Sequence, residues 1–213
     1  ATALLHEGAR AEPPDWPGTA TGRLEALALI QTLNATLLAA RSATFTLERW
    51  CADHGMAPEP KLVATQKKDI EKPASAETRA RLAIGPDEPV RYRRVLLSCG
   101  AHVLSEADNW YVPARLTPEM NTLLDTTTTP FGRAVADLKP FRRTVSSDLL
   151  WSPLPAGWET GGRPIPSTNG RLDMPEKIFE HRAVLYDPAS RPFSEVVETY
   201  RADILAFPAP PGR

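Results

Sequence analysis

The sequence has little of what metal-binding, redox and disulfide-rich proteins are built from. Only two cysteines, Cys51 and Cys99, occur among 213 residues, and the four histidines are scattered singly along the chain. Neither cysteine belongs to a CxxC pair or to a group with the spacing of metal ligands. The sequence therefore indicates no bound metal, and it predicts that both cysteines are unpaired thiols or packing residues.

Other motifs are missing as well. The sequence has no glycine-rich phosphate loop, no HExxH and no GxSxG, which argues against nucleotide, zinc-protease and serine-hydrolase chemistry. No apolar run approaches the roughly 18 residues of a membrane span. With 25 basic and 26 acidic residues, the net charge of -1 offers no global attraction to nucleic acid or to an anionic membrane. Any anionic ligand must therefore be bound by local arginines.

The overall composition is that of an ordinary globular protein, with 42% hydrophobic and 24% charged residues. The length suits one domain with a sizeable core. The 22 prolines crowd near both termini and between Pro153 and Pro166, where they predict irregular surface segments. We expect an N-terminal arm over residues 1–20, a single domain over 21–207 with a long surface excursion over 151–176, and a tail over 208–213.

Hydrophobic periodicity predicts the secondary structure. Leucines and an isoleucine recur at helical spacing from Arg23 to Ala40, with no proline inside, so this segment is the clearest helix. Shorter helices are predicted over 42–54, 75–84 and 117–124, with a helical stretch after residue 131. Strands are predicted over 61–70, 90–99, 103–112, 141–150, 178–187 and 193–207. The strands come in sequence-adjacent pairs without βαβ spacing, which predicts an α+β fold: an antiparallel sheet with helices packed on one side.

The hairpin over residues 90–113 carries two arginines among apolar residues. Because side chains alternate across a strand, Arg93 shares a face with Val95 and Leu97, whereas Arg94 lies on the other face. Whichever face is covered, one arginine is buried with it. This hairpin is therefore the predicted wall of a binding site.

The last strand carries a glutamate on each face. Glu198 shares a face with Val196 and Tyr200, and Glu195 lies with Phe193 and Val197. A carboxyl group among apolar neighbours has its pKa raised by desolvation or requires a cationic partner, and both conditions suit a general acid or an anion-binding site. The alternative is that Glu198 pairs with an arginine on an open sheet face.

Three blocks of the sequence, in this order, resemble the chorismate lyase family. They are Arg93-Arg94-Val95-Leu96-Leu97 running to Tyr111-Val112-Pro113, then Thr129-Pro130-Phe131-Gly132-Arg133, then the strand from Pro192 to Glu198. The segment from Ser42 to Glu48 is also similar to the early helix of that family. Together the blocks span most of residues 42–207.

The resemblance implies an antiparallel sheet covered by helices, with a small buried site closed by flaps. It implies the elimination of pyruvate from chorismate to give 4-hydroxybenzoate, a step of ubiquinone biosynthesis that requires no cofactor. Glu198 and Arg93 would be the catalytic residues, and Phe131, Gly132 and Ala43 would bind the substrate. Arg94 is the alternative substrate-binding arginine, because alternation lets only one of the two face the site and the family register favours Arg93. Ala43 stands where the family often has methionine, and residues 1–40 and 151–176 exceed a minimal lyase.

The same superfamily includes effector-binding domains of GntR-type bacterial regulators, and the segment VVETYRADILAF resembles their final strand. Such domains bind small molecules without converting them. Residues 1–40 are too few for a winged helix. The main hypothesis is therefore a chorismate pyruvate-lyase, and the alternative is a non-catalytic domain that binds an aromatic or cyclic carboxylate; an unrelated structural role is a third.

The sequence predicts neither an oligomeric state nor a compartment. The family resemblance favours the cytoplasm, whereas the proline-rich start and the first residue, Ala1 rather than methionine, also fit an exported protein after processing.

Overall fold

The computed structural model describes residues 15–210, which form a six-stranded antiparallel sheet with helices. The strands are β1 (Leu62–Gln66), β2 (Arg91–Cys99), β3 (His102–Tyr111), β4 (Phe141–Leu149), β5 (Lys177–Tyr186) and β6 (Pro192–Arg201). The helices are α1 (Ala20–Ala39), α2 (Ala43–Asp53), α3 (Ala76–Arg81), α4 (Pro118–Thr126) and α5 (Phe131–Ala134). The predicted α+β class is confirmed.

The strands are arranged in the order β1-β2-β3-β6-β5-β4. Consecutive hairpins account for β2–β3, β4–β5 and β5–β6, while the pairing of β3 with β6 joins the two halves of the sheet. The β2–β3 and β5–β6 hairpins were predictable from the chain, because short turns connect their strands, whereas the long excursion separates β4 from β5. The β3–β6 pairing is the long-range step, and it brings the arginine hairpin next to the glutamate strand.

Local sequence accounts for the main helices. The buried residues of α1 recur every three or four positions from Gly22 to Leu37, and Thr19 caps its first turn by accepting a hydrogen bond from the Gly22 N–H. Thr117 caps α4 in the same way, with Pro118 in the first helical position. None of the described helices is long and apolar enough to cross a bilayer.

The two faces of the sheet differ in character. The inner face carries the main apolar core, to which α1 and α2 contribute Leu33 and Leu47. The outer face is largely charged, with α3 lying against it beside Glu195, whose carboxylate binds both Arg81 and Arg182. The pocket described in the next subsection lies on the inner face.

The prediction that the cysteines are unpaired is wrong, because Cys51 and Cys99 form a disulfide. Cys51 lies on α2 and Cys99 at the end of β2, and packing of the helix on the sheet brings their Cα atoms to 6.5 Å, within the range that a disulfide spans. Both side chains are fully buried. A separation of 48 residues leaves no local signal for this pairing.

The last strand is shorter than predicted. It ends at Arg201, and Ala202–Leu205 form a 3-10 helix instead of continuing to residue 207. The Asp203 carboxylate accepts a hydrogen bond from the Val103 N–H, and Ile204 and Leu205 are fully buried. Tertiary contacts therefore turn the chain where apolar content alone favours a strand.

Most of the predicted arm lies outside the described residues, but residues 15–19 pack against the domain. Trp16 is fully buried, and its Nε1–H donates to the Leu205 carbonyl oxygen. Pro17 forms a bridge with Arg171, which lies in the 151–176 excursion. The excursion contains only a single 3-10 turn, Trp158–Thr160, and contributes Leu154 and Leu172 to the buried residues.

Candidate functional site

A pocket lies on the inner face of the sheet, under the start of α2 and the segment from Thr129 to Arg133. The space between its lining atoms is about 640 Å³, a figure that includes the solvent at its open mouth. Val95, Leu97, Ala107 and Val196 form its apolar floor, and Phe131 covers it from above.

The sheet register brings together two of the predicted site residues. Arg93 is paired with Asn109, which is paired with Val196; Ala107 is paired with Glu198. All of these side chains point to the inner face, and Arg93 and Glu198 lie two strands apart, roughly 10 Å across the sheet.

Arg93 is buried without a counter-ion. The residue is 3% exposed, and only its Nη2 donates a hydrogen bond, at 3.4 Å, to the Thr129 carbonyl oxygen. Its Nε and Nη1 atoms have no partner, and within residues 15–210 no carboxylate forms an ion pair with it. Burial lowers the pKa of Arg93, because desolvation disfavours a charged guanidinium. Such a group requires an anion.

A second buried arginine, Arg142, was not predicted. Its Nη1 lies 2.6 Å from Oε2 of Glu198, and the two side chains are 4% and 9% exposed. Burial alone would lower the pKa of Arg142, but the charge of Glu198 leaves it raised. The Nε and Nη2 atoms of Arg142 have no partner. Glu198 thus pairs with an arginine, as in the alternative interpretation of the sequence, but inside a pocket rather than on an open face.

The groups behind this pair are buried and polar. The Tyr200 hydroxyl donates to Oε2 of Glu198 at 3.1 Å, and burial raises the pKa of Tyr200 well above its ordinary value. Nε2 of His181 lies 2.7 Å from Oδ1 of Asn34 on α1. Burial, together with the charge of Arg142, lowers the pKa of His181 to about 4. Both side chains are therefore neutral at pH 7.

The amino end of α2 forms the opposite wall. Ser42 occupies the N-cap position without forming a side-chain cap, and its Oγ is buried with no partner. The first N–H groups of a helix carry partial positive charge, and anions bind there. Ala43 and Thr44 also line the pocket. Three arginines and one glutamate line it in total, so positive charge is in excess.

Gly132 fits against this helix end only because it lacks a side chain. A Cβ at this position would lie 2.8 Å from both Ser42 Oγ and Thr44 Oγ1. Phe131, its neighbour, packs 5.5 Å from the ring of Tyr111. The segment from Thr129 to Arg133 therefore covers the pocket with the ring of Phe131 and with the backbone of Gly132, which lies close to the start of α2.

Five of the six predicted site residues line the pocket: Arg93, Glu198, Phe131, Gly132 and Ala43. Arg94 does not, because alternation along β2 directs it to the outer face, where it pairs with Glu106 and Asp108 at 3.1 Å each. Its inclusion is corrected accordingly. Across residues 15–210, no three histidine, cysteine or acidic side chains cluster as metal ligands would.

Sequence reasoning missed Arg142 because nothing local connects it to Glu198. The sequence shows two adjacent arginines at the start of a predicted strand, one of which must point inward. The order of the strands in the sheet cannot be read from the sequence. In the sheet, β5 lies between β4 and β6, and this order brings Arg142 of β4 close to Glu198 of β6.

Comparisons with known proteins complete the description. No family model matches the chain. The uncharacterized protein y4mC of Sinorhizobium fredii is 52% identical over 196 residues, covering 92% of this chain and 83% of that protein.

Among solved structures, PhnF from Mycobacterium smegmatis is similar at 16% identity with a TM-score of 0.48, covering 80% of this chain and 68% of PhnF. The effector domain of PhnF is similar at 14% identity with a TM-score of 0.45, covering 81% and 95% of the two chains. YydK from Bacillus subtilis gives 14% identity and a TM-score of 0.41, with 70% of this chain and 62% of YydK covered. At these identities the likeness concerns the fold alone.

Proposed function

We propose that this chain, which belongs to the same family as the uncharacterized protein y4mC, is a domain that binds a small organic carboxylate. The observation that carries the proposal is the buried guanidinium of Arg93, which has two unpartnered nitrogen atoms and lines the pocket on the inner face of the sheet. Leaving a buried charge unpaired costs several kcal/mol. A planar carboxylate supplies two acceptors in the geometry that a guanidinium binds best.

The rest of the pocket favours an aromatic or cyclic acid. Its floor of Val95, Leu97 and Val196 is apolar, and Phe131 offers a ring to pack against. At the far side, Ser42 Oγ and the free N–H groups at the start of α2 are suited to a polar or anionic substituent. The proposed ligand is thus a ring with a carboxylate at one end and an oxygen function at the other.

The test is to titrate 4-hydroxybenzoate-like acids into the wild type, Arg93→Ala and Arg94→Ala, by calorimetry and by thermal shift. The two arginines are adjacent and face opposite sides of β2, so each is a matched control for the other. Losing a buried charged hydrogen bond costs about 2–5 kcal/mol, so Arg93→Ala weakens binding at least about 30-fold. Arg94→Ala leaves the affinity unchanged. Equal affinities in both variants would refute the Arg93 site.

A second candidate function is chorismate pyruvate-lyase activity, and the presence of Glu198 and Arg142 in the pocket favours it. In that reaction the bond between the ring and the enolpyruvyl oxygen breaks, and the neighbouring ring carbon loses its proton, so that the ring becomes aromatic. The released enolpyruvate takes up a proton and leaves as pyruvate, and 4-hydroxybenzoate is the other product. Glu198 accepts hydrogen bonds from Arg142 and Tyr200. The donor to the departing oxygen would therefore be Arg142, through Nε or Nη2, rather than a neutral Glu198.

Incubation with chorismate tests this directly, by following the absorbance of 4-hydroxybenzoate and the release of pyruvate. The lyase hypothesis expects turnover in the wild type and loss of turnover in Arg142→Met, which retains the length of the side chain. Binding of 4-hydroxybenzoate with no turnover of chorismate would leave the domain as a binder and exclude the lyase.

A further inference from the structure

The charged groups of the pocket are too buried for a ligand to reach them without movement of a covering element. Arg93 is 3% exposed, and the Arg142 and Glu198 side chains are 4% and 9% exposed. Two elements cover them from above: the start of α2, and the segment from Thr129 to Arg133, here called the cover segment. One of the two must move when a ligand enters or leaves.

The cover segment has less regular structure to hold it in place than α2 has. The helix α2 has 11 residues and is bonded covalently to the sheet through Cys51–Cys99. The cover segment contains only the four-residue helix α5. A single helical turn is marginal on its own and depends on its tertiary contacts. The contacts that hold this segment therefore set how readily the pocket opens.

On the pocket side, the cover segment is held by the hydrogen bond from Arg93 to the Thr129 carbonyl oxygen and by the packing of Phe131 against Tyr111. On the opposite side, two polar contacts hold it. Upstream, the Thr128 carbonyl oxygen accepts a hydrogen bond from the Ala64 N–H of β1 at 2.8 Å. Downstream, Nη2 of Arg133 lies 2.7 and 2.6 Å from the two carboxylate oxygens of Glu48 on α2. Between these two anchors, Phe131 and Gly132 lie over the pocket.

The downstream anchor is built by α2 itself. Phe45 and Glu48 lie three residues apart on one face of the helix, and the Arg133 guanidinium lies 5.1 Å from the Phe45 ring centre while it binds Glu48. Oε1 of Glu48 also accepts a hydrogen bond from the Leu62 N–H, which orients the carboxylate. Arg133 is 44% exposed, whereas Glu48 is 14% exposed, so the arginine can detach into solvent while its partner stays in place.

We propose that the Glu48–Arg133 ion pair is a latch that holds the cover segment closed and controls the rate of ligand exchange. The inference rests on the proposed carboxylate site. These two residues touch neither Arg93 nor the pocket floor, so they position the cover and do not bind the ligand. An ion pair in this half-exposed setting also weakens as salt is added.

The latch predicts a particular kinetic signature. Closure is present in the free protein, and the cover segment must open both for entry and for exit. Weakening the latch therefore raises the association and dissociation rate constants by the same factor, up to about fivefold for an ion pair worth up to about 1 kcal/mol. The dissociation constant then stays within about twofold of the wild-type value.

The experiment measures stopped-flow association and displacement kinetics of 4-hydroxybenzoate with the wild type, Glu48→Gln and Arg133→Met. Glu48→Gln keeps an acceptor for the Leu62 N–H, and Arg133→Met keeps an apolar side chain on Phe45. The control is Arg191→Met, which breaks a surface ion pair with Asp187 in the β5–β6 turn. Both latch variants should raise both rate constants, and the control should change neither.

The outcomes separate the two proposals. If the wild type binds no carboxylate, the proposed function fails first. If the wild type binds but both latch variants leave the two rate constants unchanged, the latch is refuted and the carboxylate site stands. The same holds if the variants weaken the affinity without changing the association rate constant. Should either variant unfold, the rates of Arg133→Gln, which removes the charge and keeps a polar side chain, still decide: a latch requires both rate constants to rise.

Discussion

The buried disulfide between Cys51 and Cys99 is expected to supply a large share of the stability of the fold. Reduction, or the double change Cys51→Ala and Cys99→Ala, removes a cross-link that closes a loop of 48 residues. In the loop-entropy model, a loop of this length is worth about 4 kcal/mol. For a chain of this size, each kcal/mol shifts the melting temperature by roughly 2–4 °C, which gives a loss of roughly 8–16 °C.

The assay compares thermal and urea unfolding of the oxidised protein with and without a reductant, next to the double variant. Both sulfur atoms are fully buried, so the bond should resist reductant in the native state and yield only after unfolding begins. A thiol-reactive dye should count no free thiol in the denatured oxidised protein and two after reduction. Two thiols without reductant, or a stability difference below about 1 kcal/mol, would refute the reasoning.

Three further predictions concern the pocket. Gly132→Ala places a methyl group against Ser42 and Thr44 and should cost about 1–3 kcal/mol of unfolding free energy, whereas Gly85→Ala, which meets open space, should cost little; urea titrations decide between them. Arg142→Met should destabilise the fold by about 3–5 kcal/mol because it leaves Glu198 buried without its cation, and adding Glu198→Gln should recover most of that loss; a double variant no more stable than the single one would contradict the pairing. His181 is buried in its neutral form, with its pKa lowered to about 4. Its contribution to the free energy of unfolding is therefore fully present above its unfolded pKa of about 6.5 and is lost as the pH falls toward 4. The dependence of stability on pH between 6.5 and 4 should be flatter in His181→Asn.

Much of the local structure is readable from the sequence, because its causes are local. The periodicity of α1, the Thr117 cap of α4 and the turn at Gly100 each depend on a few neighbouring residues. Alternation along single strands also predicts the faces of the sheet correctly. Arg93 and Arg94 lie on opposite faces, and Glu198 shares a face with Val196 and Tyr200.

The features that could not be predicted all depend on strand order or on helix-to-sheet packing. The Cys51–Cys99 bond requires the docking of α2 on β2, and the Arg142–Glu198 pair requires β5 to lie between β4 and β6. Neither arrangement can be predicted from the spacing of residues in the sequence. Alternation allows only one of Arg93 and Arg94 to face the site, and Arg94 stood as the alternative to Arg93 if the family register were one residue out.

The most direct measurement of the central claim is a crystal structure with 4-hydroxybenzoate bound. We expect the carboxylate within hydrogen-bonding distance of Nε and Nη1 of Arg93, the ring between Val95 and Phe131, and the hydroxyl near Ser42 or Arg142. A ligand bound elsewhere, with those two nitrogen atoms of Arg93 donating to protein acceptors instead, would contradict it.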